Sequence, residues 1–320
     1  DLLDLDLDAY RQQHVVQPIT GFRTGMIDGN TLETLHDHAV SYGIRRCEFD
    51  TYLLHRSGAR LHLGEQLERL ERTSGGWQVN ASLQTPVVIG AGGHFCPVAR
   101  HLGAAVGGNE LAVQAQETEF ETAPGKWSAG MCTPGIPELY FCRDLKGYGW
   151  CLRKENFLNI GMGREGGHGL RQQVATFRDF LITAGRIPAD IQTRFRGHAY
   201  LLYQHARRKL LDDGVLLIGD AAGLAYTRSG EGIRPAMESG LLAAATILQA
   251  AGNYSRAELE PYAAGLQSRF GPRPVRDPIA WLPERARIQL AQGLMNRRWF
   301  AQHVLLDRWF LHVHEPPLQV

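Results

Sequence analysis

The sequence predicts a mixed α/β (α+β) protein, and three observations carry that expectation. Two continuous apolar runs, Val87-Val-Ile-Gly-Ala91 and Val215-Leu-Leu-Ile-Gly219, each lead into a glycine-rich loop, the pattern of strands buried on both faces of a parallel sheet. Between them lies a block of strand-like pieces joined by short turns, and beyond the second run the chain reads as helical. Parallel-sheet texture on both sides of an antiparallel block is most simply one discontinuous α/β domain with a sheet domain inserted.

Length and composition fit that picture. At roughly 150 residues per domain, 320 residues make about two domains. Hydrophobic residues at 44% and charged residues at 21% exclude wholesale disorder. Lys+Arg 34 against Asp+Glu 33 leaves a net charge of +1, which argues against a dedicated nucleic-acid binder and for small neutral or apolar partners. The five cysteines, Cys47, Cys96, Cys132, Cys142 and Cys151, form no CxxC pair. They read as reduced thiols in a cytoplasmic setting, with no cysteine metal site. His36-Asp-His38 has the spacing of a metal pair but no third ligand, so no metal is expected. The apolar run Leu241–Leu248 is far too short to span a bilayer. The chain opens at Asp1 rather than Met, which reads as a fragment or a processed form.

In chain order, residues 15–43 alternate apolar and polar side chains around a turn at Asp28-Gly29-Asn30. A short helix is expected over Phe49–Arg56, stopped by Gly58. Strands are expected at Arg60–Leu63 and Gln66–Arg72, the second forming a hairpin with Trp77-Gln-Val-Asn-Ala through Ser74-Gly75-Gly76. Strand-like pieces follow at Glu110–Glu121, Glu138–Arg143, Tyr148–Arg153 and Phe157–Met162. The helix Leu170–Ala184 interrupts the block with Val174, Phe177 and Leu181 on one face. A helix is expected from about Arg234 to Ala251, and the tail 253–320 is helical with scattered aromatics.

The chemistry-bearing pattern is Leu217-Ile-Gly-Asp-Ala-Ala-Gly223, followed by Ser229-Gly-Glu-Gly-Ile233 and Ser239-Gly240. Glycines let a backbone approach a bulky planar or phosphorylated ligand. A strand-end carboxylate can accept hydrogen bonds from sugar hydroxyls, and a helix N-terminus offers unpaired N–H groups to an anion. Two glycine loops and a carboxylate within one strand-to-helix unit exceed what tight turns alone require.

This pattern resembles the flavin-binding signature of FAD-dependent oxidoreductases with the para-hydroxybenzoate-hydroxylase type of fold. The resemblance implies FAD as cofactor. It places Gly219 and Asp220 at the ribityl chain, and Gly230, Glu231, Gly232 and Ile233 against the flavin ring. Val88-Ile-Gly-Ala-Gly-Gly-His-Phe-Cys-Pro-Val-Ala-Arg100 resembles the second fingerprint, G-A-D-G-x-x-S-x-x-R. It brings Gly90 and Gly92 to the cofactor, with Gly92 in place of aspartate and Cys96 in place of serine. The aspartate's loss leaves direct use of a nicotinamide donor without its expected contact. Cys96 reads as a small buried side chain, with a redox thiol as the alternative. Arg46-Cys-Glu-Phe-Asp-Thr-Tyr-Leu53 resembles the R-x-x-F-D-x-x-L helix entry, whose arginine, here Arg46, lies near the cofactor.

Gly147-Tyr-Gly-Trp-Cys-Leu-Arg-Lys154, with Gly161-Met-Gly163, resembles the Y-x-W-x-F-P-K…G-x-G motif of geranylgeranyl reductases, flavoproteins that saturate isoprenoid double bonds. Tyr148, Trp150, Lys154, Gly161 and Gly163 match, whereas Leu152 and Arg153 replace Phe-Pro. A Tyr and a Trp two apart on a strand share one face and could line a channel for an apolar chain, or serve as core aromatics. The N-terminal G-x-G-x-x-G unit of such flavoproteins is missing; Gly161-Met-Gly-Arg-Glu-Gly166 is a formal match in the wrong context.

The expected organisation is an FAD-binding three-layer domain from 1–107 and 208–252, truncated at its N-terminus, an antiparallel-sheet substrate domain over 108–207, and a helical C-terminal region over 253–320. The expected function is FAD-dependent reduction, or the reverse dehydrogenation, of carbon–carbon double bonds in an apolar isoprenoid-like substrate, fed by an unidentified electron donor. No side chain is assigned as a catalytic acid or base. A flavin-dependent monooxygenase and a non-catalytic apolar-ligand binder are the alternatives. The mixed basic and aromatic segment Arg297–His312 leaves peripheral membrane contact open beside packing on the flavin domain.

Overall fold

The structure is a computed structural model that describes every residue except 1, 2, 108, 109, 124, 129, 168, 192, 193, 274–280, 319 and 320. It divides into two compact units. The first comprises residues 1–61, 114–198 and 278–315, the second residues 62–113, 199–277 and 316–320.

The first unit is built on a sheet. Among the described residues, seven strands pair in the order Arg196–Leu201, Ala112–Glu121, Phe157–Glu165, Gly147–Lys154, Glu138–Phe141, Gly21–Met26 and Thr31–Leu35. This corrects the expected placement of residues 1–61 in the flavin domain. Strand Gly21–Met26 runs parallel to Glu138–Phe141, with Thr24 opposite Leu139, and forms a hairpin with Thr31–Leu35. Alternating side chains in 15–43 gave the strands; the partner, more than 100 residues away, decided which sheet they joined.

Helix Leu170–Thr183 covers one face of this sheet. Leu170, Val174, Phe177 and Leu181 recur at four- and three-residue intervals and pack on Cys151, Leu158, Ile160 and Met162. The approach is close at Gly149, where an added Cβ would stand 2.6 Å from the Phe177 ring. On the other face, Phe22, Leu139 and Phe141 meet Leu305, Leu306 and Phe310 from a wide, π-type helix, Ala301–Phe310. Each such side chain, fully buried, contributes about 1.5–3 kcal/mol. The apolar face of segment 297–312 is therefore used on the sheet of its own unit.

One carboxylate lies inside this unit without solvent contact. Glu138 receives Arg186 Nε at 3.0 Å on both oxygens, Arg23 Nη1 at 3.1 Å and the Tyr140 hydroxyl at 2.6 Å. Burial, helped by the Glu138 charge, pushes the Tyr140 hydroxyl far above its ordinary pKa.

The second unit holds the two apolar runs. Val215–Leu217 lies between Leu211–Asp212, antiparallel, and Val88–Gly90, parallel. Helices Ile233–Gln249 and Arg256–Phe270 pack on it: Val215, Leu216 and Leu217 are buried with Ala243, Leu259, Tyr262 and Leu266. The Tyr262 hydroxyl donates to the Leu217 carbonyl at 2.6 Å. Glu238, also buried, is held by Arg234 at 2.9 Å and by Arg269 at 2.8 and 2.6 Å.

Three further expectations are corrected here. Strand Val88–Gly90 is not buried on both faces, because Ile89 is 42% exposed. No strand forms at Arg60–Leu63, and Gln66–Arg72 shortens to Leu70–Thr73. The Asn80 side chain accepts the backbone N–H groups of Glu68 and Arg69 at 2.9 and 3.1 Å, in place of a ladder. The tail is not one region: residues 253–273 pack within the second unit and 281–315 within the first.

Replacing Glu138 by alanine leaves Arg186 and Arg23 facing an empty, desolvated site. The expected loss is about 3–5 kcal/mol, read as a lower urea midpoint with an unchanged slope. An unchanged midpoint would show that the cluster contributes no stability.

Candidate functional site

The parallel pairing sets Leu217 opposite Gly90, and the Ile218 N–H donates to the Gly90 carbonyl at 3.0 Å. Both chains therefore leave the sheet at the same carboxyl edge, the position at which α/β sheets bind ligands. Beyond Leu217 the chain makes one helical turn, Gly219–Ala222, entered with φ +53 at Gly219 and left with φ +68 at Gly223. The Gly219 N–H donates to Ser239 Oγ at 2.9 Å, and Ser239 Oγ donates to the Ala236 carbonyl at 3.0 Å. The strand end is thereby pinned to helix Ile233–Gln249.

That helix opens at Gly232 with no side-chain cap, and its first internal bond is Ala236 N–H to the Gly232 carbonyl at 2.9 Å. The N–H groups of Ile233 and Arg234 precede any intrahelical acceptor. Gly232 lies directly against the carboxylate, since a Cβ there would sit 3.1 Å from Asp220 Oδ1. Gly230, at φ +74, passes under Tyr200, whose hydroxyl a Cβ would meet at 2.5 Å. Thus Gly90, Gly92, Gly219, Asp220, Gly230, Glu231, Gly232 and Ile233 all belong to the second unit. The dense surroundings of Glu231 push its carboxyl up to about 7, although the residue keeps a solvent-exposed surface that screens part of the effect.

A residue absent from the sequence reading holds these loops from behind. The buried Arg208 guanidinium pairs with Glu110 through Nε and Nη2, both at 2.7 Å, and donates to the Ala221 carbonyl at 2.9 Å and the His94 carbonyl at 2.9 Å. It ties the loop after Val88–Gly90 to the turn after Val215–Leu217. The hydrogen bond from Arg208 holds the Glu110 carboxyl below its ordinary value, and burial beside Arg208 lowers the His94 imidazole. Glu110 lies 98 residues from Arg208, which is why no local motif marks the pair. Cys96 is a buried free thiol beside Gly90, whose Cβ would come within 3.2 Å of the sulfur.

The remaining candidates fall in the first unit. Arg46 opens helix Arg46–Arg56. Its guanidinium is 57% exposed and pairs with Asp50 through Nε at 3.1 Å and Nη2 at 3.0 Å. Its neighbour Arg45 is the one drawn inward, bonding Glu119 and Glu48 at 3.0 and 2.6 Å and stacking on Phe157. Tyr148 and Trp150 share a face, ring centroids 6.0 Å apart, opposite Gly163 and Gly161 across the ladder. The Trp150 indole lies over Gly161, where any Cβ would collide with it. The indole N–H donates to Asn159 Oδ1 at 2.6 Å, and the Asn159 amide reaches Glu117 at 3.3 Å. Both rings are half-buried and pack beside Phe141 and Phe310. Lys154, the motif lysine, is buried; it donates to the Ile44 carbonyl at 2.8 Å and pairs with Glu119. Its part is structural. No group of three metal-ligating side chains occurs among the described residues.

The arrangement fits a flavin nucleotide on the second unit. Glycines end two adjacent strands, a carboxylate follows one of them, and helix N–H groups that have no intrahelical acceptor stand beside that carboxylate. The pairing of Glu110 generates a pH prediction. A carboxyl lowered on folding lends stability that is complete above its ordinary value of 4.5 and is lost as pH falls through the folded value. His94, also lowered, adds a loss that begins as pH drops below 6.5. Glu110→Gln is expected to flatten the melting-temperature profile below pH 4.5 while leaving the limb just below pH 6.5. Parallel profiles for the two proteins would contradict the pairing.

No protein-family model matches the chain. It is 26% identical over 237 residues to a digeranylgeranylglycerophospholipid reductase of Methanococcus vannielii, covering 69% of this chain and 59% of that protein. Among solved structures, a geranylgeranyl bacteriochlorophyll reductase-like protein of Thermoplasma acidophilum superposes with a TM-score of 0.64 at 18% identity, covering 89% of this chain and 72% of the other. The halogenase PltM, in a structure containing FAD, gives a TM-score of 0.64 at 13% identity, with 82% and 60% covered. The chain spans somewhat over half the length of the curated reductases it matches. The resemblance to geranylgeranyl-reductase-like flavoproteins therefore holds in sequence, and the fold is that of FAD-dependent oxidoreductases.

Proposed function

We propose that this chain carries the flavin cradle and the substrate lining of an FAD-dependent oxidoreductase that reduces carbon–carbon double bonds in an isoprenoid-bearing substrate. The observation that carries the reading is the convergence of Gly90, Gly219, Asp220 and Gly232 at one carboxyl edge of a parallel strand pair. Similarity to reductases named for a digeranylgeranyl lipid supports that substrate class.

Bound FAD supplies the hydride equivalent for alkene reduction. Asp220 accepts hydrogen bonds from cofactor hydroxyls, and the N–H groups of Ile233 and Arg234 donate to its electron-rich oxygens. Gly230 and Gly232 keep Cβ atoms away from the plane of the ring. Gly92 lets the backbone come close, while Arg208 holds both loops in register. In the first unit, Tyr148 and Trp150, laid on Gly161 and Gly163, present an apolar surface to an isoprenoid chain and exclude water from it. Arg46, at the solvent-exposed helix entry of the first unit, is paired with Asp50, and its assignment to the cofactor rests on the motif alone. Its electron donor is a separate reductant.

Incubation with FAD followed by desalting tests the reading. The chain is expected to retain a flavin spectrum, and Asp220→Ala to bind at least about tenfold more weakly, the equivalent of about 1.4 kcal/mol. In anaerobic assays with reduced flavin and a geranylgeranyl substrate, Trp150→Phe is expected to keep the flavin and lose about tenfold in turnover, because it leaves Asn159 Oδ1 without its donor. Failure of the wild-type chain to retain flavin would overturn the proposal.

A further inference from the structure

The second unit pairs its buried cations with carboxylates. Arg208 meets Glu110, and Arg234 and Arg269 meet Glu238. Two arginines beside them, the exposed Arg207 and the half-buried Arg273, have no such partner among the described residues. Arg207 donates through Nη1 to the carbonyls of Gln204 and Ala206 at 3.1 and 3.3 Å. Arg273 donates to the carbonyls of Ala206 at 3.1 Å and Ala222 at 3.5 Å, and lies 4.2 Å over the Tyr203 ring. Among the described residues, neither guanidinium has a carboxylate partner.

Both line the same cavity, of about 500 Å³, together with Tyr203, Leu210, Ala263 and Leu266. That volume is in the range of small-molecule sites, about 300–1,000 Å³. Arg273 is half-buried, and burial together with the Arg207 charge lowers its pKa. A desolvated cation next to a second cation is an unfavourable arrangement unless an anion completes it. Two planar guanidinia in one cavity each offer paired N–H donors, which suits the several oxygens of a phosphate better than a single carboxylate. The aliphatic wall from Leu210, Ala263 and Leu266 gives the organic part of such a ligand an apolar surface.

We propose that this cavity binds a phosphorylated soluble small molecule, with its phosphate or diphosphate held between Arg207 and Arg273 and its organic part against Leu210 and Leu266. None of these side chains is among those assigned to the flavin, so the site stands whether or not the flavin reading does.

Calorimetric titration of the full chain with inorganic pyrophosphate, with and without saturating FAD, tests it. One pyrophosphate is expected per chain, and binding is expected to weaken at least tenfold in Arg273→Gln and in Arg207→Gln. FAD should leave the affinity unchanged. Arg207 is exposed, so its variant retains the fold and keeps the test valid if Arg273→Gln melts early. No heat with the wild-type chain, or equal affinity in both variants, would overturn the proposal. Competition by FAD would also overturn it, by assigning the guanidinia to the cofactor's own diphosphate. Sedimentation with phosphatidic-acid vesicles that is lost in the same variants would place the phosphate on a lipid and overturn the small-molecule assignment.

Discussion

The parallel register that sets Val215 against Val88 and Leu217 against Gly90 is the constraint on which the cofactor reading rests. Nothing local brings these segments together, because more than 120 residues of chain separate them. Their side chains nevertheless specify the pairing. Gly90 is the only residue that fits there, since a Cβ would stand 2.6 Å from Leu217 Cδ2 and 2.9 Å from Val98. With that close contact made, both loops leave the sheet at the same edge. Asp220 then comes to lie against Gly232 with no further adjustment. A one-residue slip would exchange the faces of the strand and carry Asp220 away from the helix entry.

Each unit also contains a carboxylate with almost no exposure, held by two arginines: Glu138 by Arg23 and Arg186, Glu238 by Arg234 and Arg269. Such triads contribute little net stability compared with a well-packed apolar replacement, but losing one partner is costly. Their effect is directional: they admit one arrangement of strand or helix ends and penalise others. Glu238 fixes helix Ile233–Gln249 against Arg256–Phe270, and so fixes the direction in which the helix entry points. Among the described residues Arg207 and Arg273 lack a carboxylate partner and face backbone carbonyls and, for Arg273, the Tyr203 ring.

Much of this was legible in the sequence, where the signal was local. The two apolar runs, the 170–183 helix face and the glycine turns each announce themselves within a dozen residues. The division of the chain was not legible, because strand Gly21–Met26 carries the same alternation whichever sheet it joins. Its assignment follows from pairing with Glu138–Phe141. Arg208 was hidden for the same reason, as one of a pair of adjacent arginines that reads as solvated surface until Glu110 is folded onto it. Lys154 illustrates the reverse case: it sits in a recognisable motif, yet its ammonium is spent on Ile44 and Glu119. A motif match does not by itself show which of its residues face a ligand.

The departures at Gly92 and Cys96 lie side by side. In the resembling fingerprint an aspartate and a serine occupy these positions. Here a Cβ on Gly92 would stand 3.3 Å from the Cys96 Cα, a close approach that serine would share, and 3.4 Å from the sulfur, an ordinary contact. Gly92 is exposed, so the course of the loop backbone, and not the sulfur, sets how much room a side chain there would have. Cys96 is buried against Gly90, where a Cβ would come within 3.2 Å of its sulfur. The contact that a carboxylate at residue 92 would make is therefore replaced by bare backbone, which admits a ligand closer but offers it no negative charge.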